Sequence, residues 1–140
     1  MSKMLKSALW YAEMRGWAVI PLHWVENGQC SCHKGAECTS PAKHPIIPNG
    51  VKGASRDTDQ VKRWWEQYPK SNIGIVTGFE NGIFVLDVDG EEGQHSLDDL
   101  IYEYGELPHT LEVLTGSGGK HIYFKYQDGI KNKVGFKPKL

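Results

Sequence analysis

The stretch that decides the fold runs from Gly82 to Gly90 and has the sequence GIFVLDVDG. Its apolar run Ile83–Leu86, rich in β-branched and aromatic residues, predicts a buried strand. Asp87 and Asp89 follow one residue apart, so both carboxylates project to the same side, roughly 6.6 Å apart. Like charges at a strand end repel each other unless a cation lies between them, and oxygen ligands suit Mg²⁺ or Mn²⁺. The alternative is an Asp-Gly turn with two solvated acids.

A glycine-rich block near residues 111–126 supplies groups that can meet an anion. Its pattern predicts a strand, a turn and a second strand, and the turn contains Ser117, Gly118, Gly119 and Lys120. Glycines let the backbone present N–H groups to an anion, and His121 directly follows the turn, where it can donate to a phosphate. A hairpin with a structural histidine is the alternative. Together with the aspartate strand, the block indicates a site for metal and phosphate.

The polar segment 28–48 contains all three cysteines of the chain and no hydrophobic periodicity. Cys30, Cys32 and Cys38 together with His44 would supply three thiolates and one imidazole, a closed tetrahedral set for structural Zn²⁺. His33 is an alternative fourth ligand, although its position next to Cys32 makes simultaneous ligation awkward. Three reduced thiols in a loop without metal are the alternative to a zinc site.

The bulk composition excludes several classes of protein. An apolar share of 39% and a charged share of 24% are typical of a soluble globular domain, and 140 residues suffice for one domain. The net charge is −1, so the chain does not have the excess of basic residues that by itself would indicate nucleic-acid binding. The chain has neither a signal-peptide pattern nor an apolar run long enough to span a membrane, so we expect a cytoplasmic protein without a membrane partner.

Helical periodicity predicts three helices. The first covers residues 2–15, the second begins at the N-cap Asp57 and ends at Pro69, and the third covers 96–104 with Ser96 as its N-cap. The tandem tryptophans of the second helix are expected in the core rather than stacked on bases. The turn at residues 81–82 predicts that segment 72–78 pairs with the aspartate strand as an antiparallel hairpin.

Taken in order, these residues resemble the bifunctional DNA primase/polymerase (prim-pol) N-terminal domain of the archaeo-eukaryotic primase superfamily, found in phage and plasmid replication proteins. The resemblance covers nearly the whole chain, and the ordered set of segments is specific although no single segment is decisive. The segments are residues 8–12, residues 16–22, Lys43–Pro45, Trp64–Trp65, Asn72–Gly74, Val85–Gly90, Ser96–Leu97, Leu107–Pro108, Thr110 and Ser117–Phe124.

The resemblance implies an α+β fold, with a mixed or antiparallel sheet similar to an RNA-recognition motif, flanked by helices. We expect residues 1–140 to form a single catalytic domain, truncated at its C-terminus, with 28–48 as an inserted Cys/His loop. The implied partners are a single-stranded DNA template and NTP or dNTP, with a helicase domain or protein as a further partner.

The resemblance also implies roles for individual residues. Asp87 and Asp89 would hold the divalent ions of a two-metal nucleotidyl transfer, and His121 would contact nucleotide phosphate. Residues 117–119 would shape the turn, and Lys120 and Lys125 are candidates for further phosphate contacts.

One feature departs from the family pattern. The family carries a third metal-binding acid on a strand beyond the histidine strand, whereas Asp128 is the only acid after His121 and belongs to a predicted turn. The alternative function is therefore a nucleotide- or single-stranded-DNA-binding module with weak or no catalysis. A folded remnant without a ligand is a third, less favoured interpretation.

Overall fold

The computed structural model describes all residues, Met1–Leu140, and divides into two compact units, Met1–Val76 and Thr77–Leu140. The fold is α+β with three α-helices and small antiparallel sheets, which confirms the predicted fold class. No helix combines the length and the hydropathy that a membrane span requires. The elements, in chain order, are α1 (Lys3–Met14), β1 (Val19–Leu22), β2 (Val25–Glu26), β3 (Gln29–Cys30), α2 (Thr58–Gln67), β4 (Asn72–Ile75), β5 (Ile83–Val88), α3 (Gly90–Tyr104), β6 (Glu112–Leu114) and β7 (Lys120–Lys125).

In the first unit, α1 and α2 pack against a two-stranded sheet in which β1 and β4 are antiparallel. Helix α2 begins after Asp57, as the sequence predicted, and α1 begins one residue later than predicted. Ser2 caps α1 by accepting a hydrogen bond from the Leu5 N–H, and Asp57 caps α2 by accepting one from the Asp59 N–H. Trp64 and Trp65 are both buried in the core of this unit, as expected.

In the second unit, β5, β7 and β6 form an antiparallel sheet in that order, with β7 in the centre. The register pairs Asp87 with His121 and Val88 with Lys120. Helix α3 contributes Leu97 to a core that includes Val88 and Ile122. Because side chains alternate along each strand, this core occupies one face of the sheet and leaves Asp87 and His121 on the other.

The predicted start of the third helix was wrong. Helix α3 begins at Gly90, with Asp89 at the N-cap position, and not at Ser96. Two acidic residues in the first turn, Glu91 and Glu92, favour that earlier start because they complement the positive end of the helix dipole. Ser96 is buried within the helix, and its hydroxyl donates a hydrogen bond to the Pro138 carbonyl at 2.6 Å.

The predicted hairpin between segment 72–78 and the aspartate strand was also wrong. Strand β4 pairs with β1, whereas β5 pairs with β7. The chain does reverse where predicted, because Gly82 has a φ of +65° and donates its N–H to the Gly78 carbonyl. A single antiparallel bridge joins Gly78 and Ile83, and no ladder extends from it. A turn signal fixes where the chain reverses, but not which strands pair.

Candidate functional site

The first candidate site is built on the pairing of β5 with β7. Asp87 and His121 are direct cross-strand partners, and Oδ1 of the aspartate lies 3.3 Å from Nε2 of the histidine. Their side chains remain 59% and 38% exposed, so both groups are accessible to a ligand. The sheet register thus brings together two residues that the sequence predicted for one site.

Asp89 lies just beyond the end of β5 with extended backbone, at φ −95° and ψ 103°. The strand pleat therefore continues through Val88, and the carboxylates of Asp87 and Asp89 belong to the same side. Although Asp89 holds the N-cap position of α3, its side chain makes no capping hydrogen bond. Its backbone N–H donates to the Lys139 carbonyl at 3.0 Å, so the main chain at Asp89 is anchored while its carboxylate stays exposed.

The glycine-rich turn lies directly against the aspartate strand. A Cβ atom placed on Gly119 would come within 2.3 Å of the Val88 carbonyl oxygen and 3.4 Å of the Asp89 Cα, so only glycine allows this approach. Gly118 has a φ of +90°. The N–H groups of Gly118 and Gly119 donate to the carbonyl and the hydroxyl of Thr115, so both are used within the turn itself. Ser117 is exposed, with its hydroxyl 3.4 Å from that of Thr115.

Lys120 is not brought together with the other predicted site residues. It lies next to His121 on β7 and therefore on the opposite face of the sheet, where its Nζ is 3.8 Å from Oε2 of Glu112. Lys125 shares the face of His121 and is exposed. Of the two lysines predicted to contact phosphate, only Lys125 therefore lies on the face of the sheet that carries Asp87 and His121.

The second candidate site is the cysteine cluster. The three thiol sulfurs and one imidazole nitrogen of Cys30, Cys32, Cys38 and His44 all lie within 4.8 Å of one another. His44 Nε2 is 3.6 Å from Cys30 Sγ and 3.5 Å from Cys38 Sγ. Zn–S and Zn–N bonds of ordinary length at tetrahedral angles require an S···N separation of about 3.6 Å. These four residues could therefore bind zinc, and the structure selects His44 rather than the exposed His33.

Local backbone geometry accounts for the gathering of these ligands. The turn between β2 and β3 has positive φ at both central residues, Asn27 at 52° and Gly28 at 76°, which is the pattern of a tight hairpin turn. The hairpin places Cys30 at the end of β3. The 3₁₀ turn Gly35–Glu37 leads into Cys38, and the His44 carbonyl accepts a hydrogen bond from the His23 N–H at 3.0 Å.

The surroundings of the cluster favour the thiolate form of one cysteine. Burial opposes ionisation of Cys30, but N–H groups of Ala42 and Cys32 and the His44 side chain lower its pKa to about 6. Burial raises the pKa of Cys38, and its neighbours Cys30 and Cys32 raise it further. Thiolate is the form that binds zinc, so Cys30 is prepared as a ligand near neutral pH.

Comparison with known proteins places the chain in a family. The sequence model of the family described as "Bifunctional DNA primase/polymerase, N-terminal" matches residues 8–139. The chain belongs to this prim-pol family. The matched range contains both candidate sites. No curated protein and no solved structure matches the chain.

Two features of the first candidate site were not predicted from the sequence. Thr115 organises the glycine-rich turn, because its hydroxyl and its carbonyl accept the N–H groups of Gly119 and Gly118. The sequence did carry a signal for this role, because Thr115 lies four residues before the buried Gly119. The second feature is the anchoring of the Asp89 backbone by Lys139, for which the sequence carries no local signal.

Asp128 lies in a turn after β7, as the sequence predicted. The potential metal-ligand atoms of Asp87, Asp89 and His121 do not lie as close to one another as those of the cysteine cluster.

Proposed function

We propose that this prim-pol domain catalyses template-dependent nucleotidyl transfer from NTP or dNTP on single-stranded DNA, in replication of the phage or plasmid type. The observation that carries the proposal is the cross-strand contact between Asp87 and His121, at 3.3 Å. It unites the aspartate strand with the histidine strand on one exposed face of the sheet. Family membership supports a primase/polymerase function for this face.

The donor set on this face fits hard divalent cations. Asp87 and Asp89 offer carboxylate oxygens that are exposed and lie on one side of the strand, which suits Mg²⁺ or Mn²⁺. When bound, such ions neutralise triphosphate charge and lower the pKa of the attacking primer hydroxyl. Asp87 and Asp89 would hold these ions, and the hydrogen bond from the Asp89 N–H to the Lys139 carbonyl limits the movement of the main chain that carries the second carboxylate.

His121 has a separate role in the proposal. With its Nε2 protonated, the imidazole donates a hydrogen bond to a phosphate oxygen of the incoming nucleotide. Before the nucleotide arrives, Oδ1 of Asp87 lies 3.3 Å from that same nitrogen and orients the ring, and the phosphate then replaces this contact because one N–H donates to one acceptor. Gly119 allows the glycine-rich turn to approach β5 closely, so that His121 and the two aspartates can contact the same nucleotide.

Nucleotide incorporation on a primed single-stranded template, with Mn²⁺ present, tests this function. Asp87→Asn keeps the shape of the side chain but removes its charge, and we expect incorporation to fall by at least about 100-fold. Asp99→Asn, an exposed aspartate in the middle of α3, is the matched control and should retain the wild-type rate. Unchanged incorporation by Asp87→Asn would contradict the assignment.

A second candidate function is nucleotide or single-stranded-DNA binding without efficient turnover. It is favoured by the loose arrangement of the site, since the two aspartates with His121 do not form a compact metal-ligand group and Asp128 lies in a turn. Mn²⁺-dependent nucleotide binding by the wild-type chain, with no incorporation on any template, would support this function over the first.

For the cysteine cluster we propose a structural zinc ion. The four ligands form a closed Cys₃His set with no position left for substrate, which is typical of structural rather than catalytic zinc. The ion would hold together a segment that contains only two-residue strands and a short 3₁₀ turn. The helicase partner implied by the family resemblance stays a prediction.

A further inference from the structure

Helix α1 carries a tryptophan on the side that faces away from the core. The buried residues of this helix are Leu5, Ala8, Leu9 and Ala12. On a helix of 3.6 residues per turn, Trp10 lies on the opposite stripe, together with Lys3, Ser7 and Met14. The Trp10 side chain is 45% exposed. Core packing therefore does not explain this residue.

Trp10 belongs to an ordered cluster of aromatic and cationic groups, which we call the α1 aromatic surface: Trp10, Tyr11, Arg15 and Trp17. The rings of Trp10 and Tyr11 meet edge to face at 5.2 Å, and those of Tyr11 and Trp17 stack at 6.0 Å. The Arg15 guanidinium lies 5.2 Å from the centre of the Trp10 ring and 5.7 Å from that of Trp17. Both distances are within the range of a cation–π interaction.

An open depression of about 220 Å³ adjoins this surface and is lined by Lys6, Ser7, Trp10 and Tyr11. Its lining therefore includes an indole ring and an ammonium group. The charges nearby are mostly positive: residues 1–17 carry Lys3, Lys6 and Arg15 against Glu13, in a chain whose net charge is −1. Arg56 adds another guanidinium, which donates to the Gly16 carbonyl at 3.1 Å.

We propose that the α1 aromatic surface binds a single strand of nucleic acid, with a base stacked on Trp10 in the depression. Lys6 and Arg15 then pair with the flanking phosphates. Surfaces that bind single strands combine stacking aromatic residues with cations that follow the backbone, and both are present here. The excess of positive charge favours a polyanion over an apolar protein partner. The proposal rests on the proposed function, because a template strand is the ligand that a primase/polymerase needs.

Binding of a fluorescein-labelled oligothymidylate, followed by anisotropy at low salt without nucleotide or divalent metal, tests the proposal. Trp10→Ala should weaken binding roughly 5- to 100-fold, and Trp10→Phe should weaken it less because a stacking ring is kept. Tyr102→Ala is the matched control, since it removes an aromatic ring that is 95% exposed on α3, and it should bind like the wild type. Lys6→Ala should weaken binding and reduce its salt dependence.

Equal affinities for Trp10→Ala and Tyr102→Ala would overturn the proposal and leave a protein partner to explain the exposed tryptophan. Failure of the wild-type chain to bind the strand at low salt would overturn it as well. Binding of a fluorescent nucleotide to the wild type with Mn²⁺, measured separately, reports on Asp87 and Asp89. If the wild type does not bind the fluorescent nucleotide, the proposed function is contradicted. The oligothymidylate result would still decide the role of Trp10.

Discussion

Asp87 and His121 face each other across β5 and β7, with Oδ1 and Nε2 3.3 Å apart. Because side chains alternate along a strand, a shift of one residue in this register would move His121 to the opposite face of the sheet. The contact therefore depends on strand pairing rather than on the sequence of either strand alone. It is the relationship on which the proposed nucleotide site depends.

Replacing His121 with alanine should raise the KM for nucleotide and lower kcat/KM roughly 10- to 150-fold. A hydrogen bond to a charged phosphate is worth about 1.5–3 kcal/mol, which corresponds to that range. Steady-state incorporation kinetics measure the effect. His95→Ala, which removes an exposed histidine from α3, is the control and should leave kcat/KM unchanged. Equal kinetics for the two variants would remove His121 from the site.

Gly119→Ala should destabilise the protein, whereas Gly116→Ala should not. The added methyl at position 119 would lie 2.3 Å from the Val88 carbonyl oxygen, while a methyl at position 116 meets nothing within 4 Å. Relieving that overlap must shift the backbone next to Asp89, and we expect a loss of about 1–3 kcal/mol in the free energy of unfolding. Denaturant titration measures it. Identical midpoints for the two variants would show that the turn does not pack against β5 as described.

About one zinc ion per chain should be found by elemental analysis of the purified protein. His44→Ala should lose the metal and lower the unfolding midpoint. The three cysteines that remain would hold zinc weakly, and the surrounding loop has little other structure. His33→Ala removes an exposed histidine from the same loop and should keep the metal. Zinc retained by His44→Ala and lost from His33→Ala would reverse the ligand assignment. Metal-free wild-type protein of unchanged stability would exclude the site.

Features set by local chemistry were predictable from the sequence. Ser2 and Asp57 cap their helices, and the buried tryptophans of α2 follow from helical periodicity. The zinc-ligand candidates were identified because three cysteines and a histidine cluster within a short polar loop. In each case the decisive interactions join residues close together in the chain.

Features that depend on distant pairing were not predictable. The sequence gives no local signal that β4 pairs with β1 rather than with β5. The close approach of Gly119 to the Val88 carbonyl, and the contact of Lys120 with Glu112 on the opposite face, follow only from the observed register of β7. The start of α3 was placed too late because Ser96 satisfies the capping rule locally, although its hydroxyl bonds to Pro138 instead.

The rate of single-nucleotide incorporation on a primed single-stranded DNA template, measured as Mn²⁺ is titrated, tests the central claim most directly. Four proteins are compared: wild type, Asp87→Asn, Asp87→Asn with Asp89→Asn, and the Asp99→Asn control. The account predicts metal-dependent incorporation by the wild type and the control, and a loss of at least about 100-fold in both variants of the aspartate strand. Incorporation that persists undiminished in the double variant would contradict it.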